Sequence, residues 1–126
     1  MNATWTVPID KAIKDLDARR EVIVKKIAFD LFRKIIFKTP VQTGRARANW
    51  LVSVAAPRNE TVDETDKTGI RAIGNVQTVI AGWNADSDIY LSNNLPYIYG
   101  LERGRSKKAP RGMVKISIAE VLNEHG

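Results

Sequence analysis

Arg103, Arg105, Lys107, Lys108, Arg111 and Lys115 place six cations in one short stretch that contains no acid. Residues of this type at this density do the chemistry of polyanion contact. They neutralise phosphates without reading bases, or they meet an acidic protein surface and fix its register. A solubilising surface loop is the plainer use of the same charges. Gly104, Pro110 and Gly112 shape the stretch, the glycines by permitting unusual backbone angles and the proline by fixing one. A second basic pair, Arg45 and Arg47, shares a face if its segment is extended. Trp50, Tyr97 and Tyr99 are amphipathic aromatics of the type enriched at interfaces; Trp50 suits the core.

Catalytic chemistry has little to work with. The chain has no cysteine and one histidine, His125, beside the C-terminus, where a docked orientation is not expected. Triads built on histidine and zinc sites are therefore not expected, and neither is an enzyme. Asp63, Glu64 and Asp66 lack the full calcium-loop pattern and read as a solvated face. No metal and no cofactor is expected.

These residues must be positioned by a small frame. The 126 residues fit one domain, 1–126, and 44% hydrophobic content suits a globular core. Twenty Lys+Arg against 14 Asp+Glu give a net charge of +6. No secretory signal is visible at the N-terminus, and the longest uncharged run, Ala72 to Ala85, falls short of the ~20 residues a membrane span needs. A soluble, cytoplasmic chain is the expectation.

From about Pro8 to Lys38 the spacing predicts a helix. Ile9, Ile13, Leu16, Ile23, Ile27, Leu31 and Ile35 form one apolar row, with Val24, Ala28, Phe32 and Ile36 widening it. Such a helix would run about 45 Å. Val22, Phe29 and Phe37 fall outside the stripe and must be buried either inside the monomer or against a neighbour, a neighbouring subunit being the expectation for so small a chain. Thr39-Pro40 ends it. After a turn at Val41–Gly44, Trp50–Ala56 reads as a strand with Trp50, Val52 and Val54 on one face. Residues 57–68 are a polar, acidic loop. Gly69 to Trp83 fits a second helix through Ile70, Ile73, Val76 or Gln77, and Ile80. Ile89–Ser92 is a strand candidate, Asn93–Pro96 a turn, and Tyr97–Glu102 a short helix ended by Gly104. Arg105–Gly112 is the basic loop. Met113–Leu122 satisfies both periods, and the following Ala-Glu-Val-Leu-Asn-Glu favours helix. The fold class is α+β: a long N-terminal helix and a second helix on a small antiparallel sheet, with a short C-terminal helix.

Three segments, in order, carry a family resemblance. Thr39-Pro-Val-Gln-Thr-Gly-Arg-Ala-Arg-Ala-Asn-Trp50 looks like a P-V-x-T-G-R-hydrophobic-R-x-S/N-W signature. Ile89-Tyr-Leu-Ser-Asn-Asn-Leu-Pro-Tyr97 is similar to a strand followed by N-x-x-P-Y. Leu101-Glu-Arg-Gly-Arg-Ser-Lys-Lys-Ala-Pro-Arg-Gly-Met113 matches L-E-x-G-x-S-x-Q-A-P-x-G-M, with Lys108 where glutamine is commoner. Over roughly residues 8–122 the chain resembles the small neck and tail-completion proteins of tailed bacteriophages, the family typified by the lambda tail-completion protein Z. The acidic loop has no counterpart in that pattern.

The resemblance implies a structural virion protein and a homo-oligomeric ring at the head–tail junction. The ring would join portal or adaptor proteins to the tail and leave a channel for genomic DNA, after assembly in the host cytoplasm. Arg103, Arg105, Lys107, Lys108, Arg111 and Lys115 are then the channel or ring-docking loop. Arg45, Arg47, Phe29, Phe37, Tyr97 and Tyr99 are the subunit-interface candidates. A sequence-nonspecific nucleic-acid-binding module is the alternative, and a host protein derived from a prophage is a third.

Overall fold

The computed structural model describes the backbone of residues 9–84 and 86–125, and side chains of 18–84 and 86–125. Among the described residues seven elements follow in order: α1 (Ile9–Lys38), α2 (Arg45–Ala48), β1 (Leu51–Val54), α3 (Ile70–Gly82), β2 (Ile89–Ser92), α4 (Ile98–Glu102) and α5 (Val114–His125). The α+β class is thus observed: a long N-terminal helix, further helices and one small sheet. β1 and β2 pair antiparallel, Leu51 opposite Ser92 and Val54 opposite Ile89. Among the described residues no helix is long and apolar enough to cross a membrane.

The core lies around the C-terminal half of α1. Phe32, Ile35 and Ile36 meet Ala72, Val76 and Ile80 of α3, with Trp50, Val52, Ile98 and Met113 closing the cluster. α3 packs on α1 and on β1, while α5 packs along α1. Both Leu51 and Val52 are buried, so β1 is covered on its two faces rather than one. Val54, expected on the inner face with Trp50 and Val52, is exposed because the strand ends there.

Helical periods name a face but not how far the core extends along it. Ile23 belongs to the expected apolar row, yet it is 56% exposed, and Val22 is 67% exposed. Among the described side chains, those of α1 that join or pack on the core run from Ala28 onward; Ile9, Ile13 and Leu16 lie outside the described side chains. Ile70 is likewise 72% exposed, because α3 buries the i,i+4 row Ala72, Val76 and Ile80 instead.

α5 runs antiparallel to α1 and is clasped to it by charge. Lys34 Nζ lies 3.0 Å from Glu124 and 3.4 Å from Glu120, and Lys38 Nζ lies 3.0 Å from Glu120. His125, expected to be undocked, closes this clasp: its Nε2 is 3.2 Å from Asp30 Oδ2. The antiparallel course of α5 carries the C-terminal residues back to α1, which proximity to the chain end could not reveal.

Candidate interaction surface

The first motif segment holds the chain together where α1 ends. Thr39, fully buried, donates its hydroxyl to the Ile35 carbonyl at 2.7 Å and accepts the Trp50 indole N–H at 2.7 Å. Thr39 thereby ties the last turn of α1 to the start of β1, and Trp50 takes the core place expected of it. Arg45 and Arg47 do not share a face, because their segment is the helical turn α2 rather than extended chain. Arg47 turns inward and donates to the carbonyls of Thr39 (3.0 Å), Lys67 (2.8 Å) and Phe37 (2.8 Å). Arg45 points out and meets Asp63 at 3.6 Å.

Asn49 and Asn94 fix the acidic loop. Buried Asn49 donates to the carbonyls of Arg45 and Val62 and accepts the Val62 N–H at 2.8 Å. Asn94 donates to the carbonyls of Arg58 and Glu60, both at 2.9 Å. Asn93 bridges from Ala46 to its own turn, donating to the Ala46 carbonyl and accepting the Leu95 N–H. Asp66 is not part of a solvated face. Its Oδ2 accepts the Ala72 N–H at 2.9 Å and caps the first turn of α3.

The basic loop is held at both ends by one carboxylate. Glu102, at the end of α4, accepts the N–H groups of Met113 (2.9 Å), Val114 (2.8 Å) and Lys115 (3.1 Å), which open α5. Helix N-termini leave such donors unpaired, and negative charge suits them. Burial pushes the Glu102 carboxyl up, but the three backbone N–H groups and the nearby Lys115 charge outweigh it and hold the group below its ordinary value. Gly104 (φ +90°) and Gly112 (φ +78°) pass backbone so closely that a Cβ would strike the Pro110 and Glu102 carbonyls respectively. Ala109 and Met113 anchor the loop in the core.

On this frame Arg103, Arg105, Lys107, Lys108, Arg111 and Lys115 are all exposed. Lys108, in the place where the resembled family favours glutamine, reaches across to the Val41 carbonyl at 2.9 Å. Between the 40–46 turn and the loop runs a cleft of about 710 Å³, lined by Val41, Arg45, Ala46, Tyr97, Leu101, Arg105 and Lys108 among others. A second groove of about 420 Å³ adjoins it at Lys108, with Phe37, Pro110 and Ile116 in its wall.

The remaining interface candidates divide by exposure. Tyr99 is 74% exposed, while Tyr97 and Phe37 are about half exposed. The Arg33 guanidinium lies 6.0 Å from the Phe37 ring centroid. Phe29 packs against the core.

Asp30, Glu124 and His125 bring three potential metal-ligating atoms within 4.8 Å of one another. Arg33 already lies 2.7 Å from Asp30, and Lys34 engages Glu124. Two cations against this pair of carboxylates oppose a divalent ion, so the group serves as the clasp between α1 and α5.

Sequence reasoning found the basic loop but not its fastener. Glu102 looks like an ordinary helix-end acid, and the donors it accepts lie 11 to 13 residues further on. The one local signal is its place between a short helix and Gly104. Comparison with protein-family models, curated proteins and solved structures finds no match to this chain.

Proposed function

We propose that this chain is a structural subunit of a tailed-phage virion. Copies of it form a closed ring at the head–tail junction, as a neck or tail-completion component, without a catalytic step. The resemblance of the three ordered segments, Thr39–Trp50, Ile89–Tyr97 and Leu101–Met113, carries the reading. The loop from Arg103 to Gly112 supports it, with exposed cations on a backbone fixed at both ends by Glu102 and two close glycine contacts. A loop meant only to keep the protein soluble has no need of such anchoring. A surface that must present charge to DNA or to an adjoining ring gains from preorganisation.

The N-terminal half of α1 supports assembly. Val22 and Ile23 stand exposed on α1, with α5 ending near Asp30. Apolar side chains so placed are covered when a neighbour packs on them. Portal or adaptor proteins and the tail are the partners this reading implies.

The test is a joining assay in the phage or prophage that encodes the chain. Removing it should leave filled heads and tails unjoined, and adding the purified protein should restore joining. Normal particles without it would overturn the reading. The exposed cations also favour a second reading, a stand-alone nucleic-acid module. That reading demands affinity of the isolated chain for duplex DNA at low salt, falling steeply as salt rises.

A further inference from the structure

We propose that the acidic segment 59–65 of one copy of this chain seats in the basic cleft of the next, closing the subunits head to tail. The proposal rests on the ring reading above and names its contact. Both surfaces flank one turn. The acidic segment meets that turn at Gly44, whose carbonyl accepts the Asp66 N–H at 2.9 Å. The basic loop meets it at Val41, through Lys108. Opposite charges therefore flank one turn of the same molecule, and among the described residues only the 3.6 Å Arg45–Asp63 ion pair spans them within a copy.

The acidic patch is fixed in backbone and its side chains stand at the surface, Glu60 taking a 2.8 Å hydrogen bond from Arg58. Asn49 and Asn94 fix Arg58, Glu60 and Val62 by their main-chain atoms. Asp63 and Glu64 are exposed, with partners at 3.6 Å and 3.5 Å, distances that leave surface ion pairs weak. A segment already ordered loses little entropy on docking. The cleft supplies the complement: Arg45, Arg105 and Lys108 line it together with apolar Val41, Ala46 and Leu101, Arg45 also meeting its own Asp63 at 3.6 Å and Lys108 the Val41 carbonyl. A cleft lined by apolar as well as cationic side chains suits an acidic peptide better than a phosphate backbone, which needs only the cations. Two different patches that fit each other form a heterologous contact, and such contacts close into rings when the rotation permits. Charge segregation also lets subunits of net charge +6 approach in one orientation.

The absence of cysteine from the chain makes the test clean. The full-length double variant Glu64→Cys with Arg105→Cys, concentrated at low salt and oxidised, should give a ladder of covalent multimers. Neither single variant should give more than a dimer. In parallel, E60K/D63K/E64K and R105E/K108E should each abolish the oligomer in sedimentation velocity, and a mixture of the two should recover paired species. Circular dichroism confirms that each variant folds. A double-cysteine variant that stays monomeric overturns the proposal, as do charge reversals that leave assembly unchanged. Reversals that weaken duplex binding but not assembly overturn it in favour of DNA. Intact head–tail joining with silent charge reversals sinks this contact alone. Lost paired assembly on reversal, in a chain that plays no part in joining, sinks the virion reading alone.

Discussion

Removing the Glu102 carboxylate tests whether the basic loop is a built surface. Glu102→Ala leaves three N–H groups at the start of α5 without their acceptor, one of them from fully buried Met113. Losing a helix cap costs about 1 kcal/mol, and losing a favourable charge at the helix N-terminus adds about 0.3–1 kcal/mol. An orphaned buried donor costs roughly 1–3 kcal/mol, overlapping in part with the cap. Together these give a loss of about 2–3 kcal/mol. For a domain of this size that lowers Tm by roughly 6–15 °C.

Glu102→Gln keeps the shape and one acceptor oxygen, so it should lose about 1 kcal/mol. The sign of the pH dependence follows from the lowered carboxyl. Its stabilisation is complete above the ordinary glutamate value and fades as pH falls through the lower folded value. Glutamine does not titrate. The gap between wild type and E102Q should therefore be fully open at about pH 7 and narrower at an acidic pH below the ordinary glutamate value. Urea unfolding at both pH values, with equal slopes checking two-state behaviour, measures it. An E102A loss below about 0.5 kcal/mol, or a pH-independent gap to E102Q, would refute the reasoning.

Three further outcomes are expected. Gly112→Ala puts a Cβ into the Glu102 carbonyl at a left-handed backbone position, and should cost at least about 2 kcal/mol in urea unfolding; a neutral result would mean the loop is slack. Arg47→Met keeps the stem but orphans the carbonyls of Phe37, Thr39 and Lys67, for a loss of about 2–3 kcal/mol in thermal unfolding, with Lys recovering only part. Val22→Ser with Ile23→Ser should leave monomer stability within about 0.5 kcal/mol, because both side chains are exposed, yet reduce assembly in sedimentation velocity; equal assembly would remove α1 from the subunit contact.

Much of the frame was legible because it is local. α1, α3 and α5 follow apolar periods, β1 and β2 follow short apolar runs between turn residues, and Thr39-Pro40 and Gly104 stop their helices where expected. α2 was not legible, since four residues are too few to show a period. Ile23 and Ile70 fit their helical periods yet stand exposed, because a period cannot say where a core ends. The site was legible in its charges and hidden in its supports. Arg47, Asn49, Asp66, Asn94 and Glu102 act on main-chain atoms brought close by the fold, and such targets leave no spacing to read. Arg47 illustrates the difference: as sequence it is a partner of Arg45, while the helical turn points it at three carbonyls of its own chain. His125 shows the same limit, because only the antiparallel course of α5 returns it to Asp30.

The most direct test of the central claim is a reconstruction of the assembled particle that contains this chain. It should show a closed ring of more than two copies between head and tail, with the Arg103–Gly112 loop against DNA or an adjoining subunit. A particle without the chain at that junction, or a ring whose loop faces bulk solvent, would contradict it.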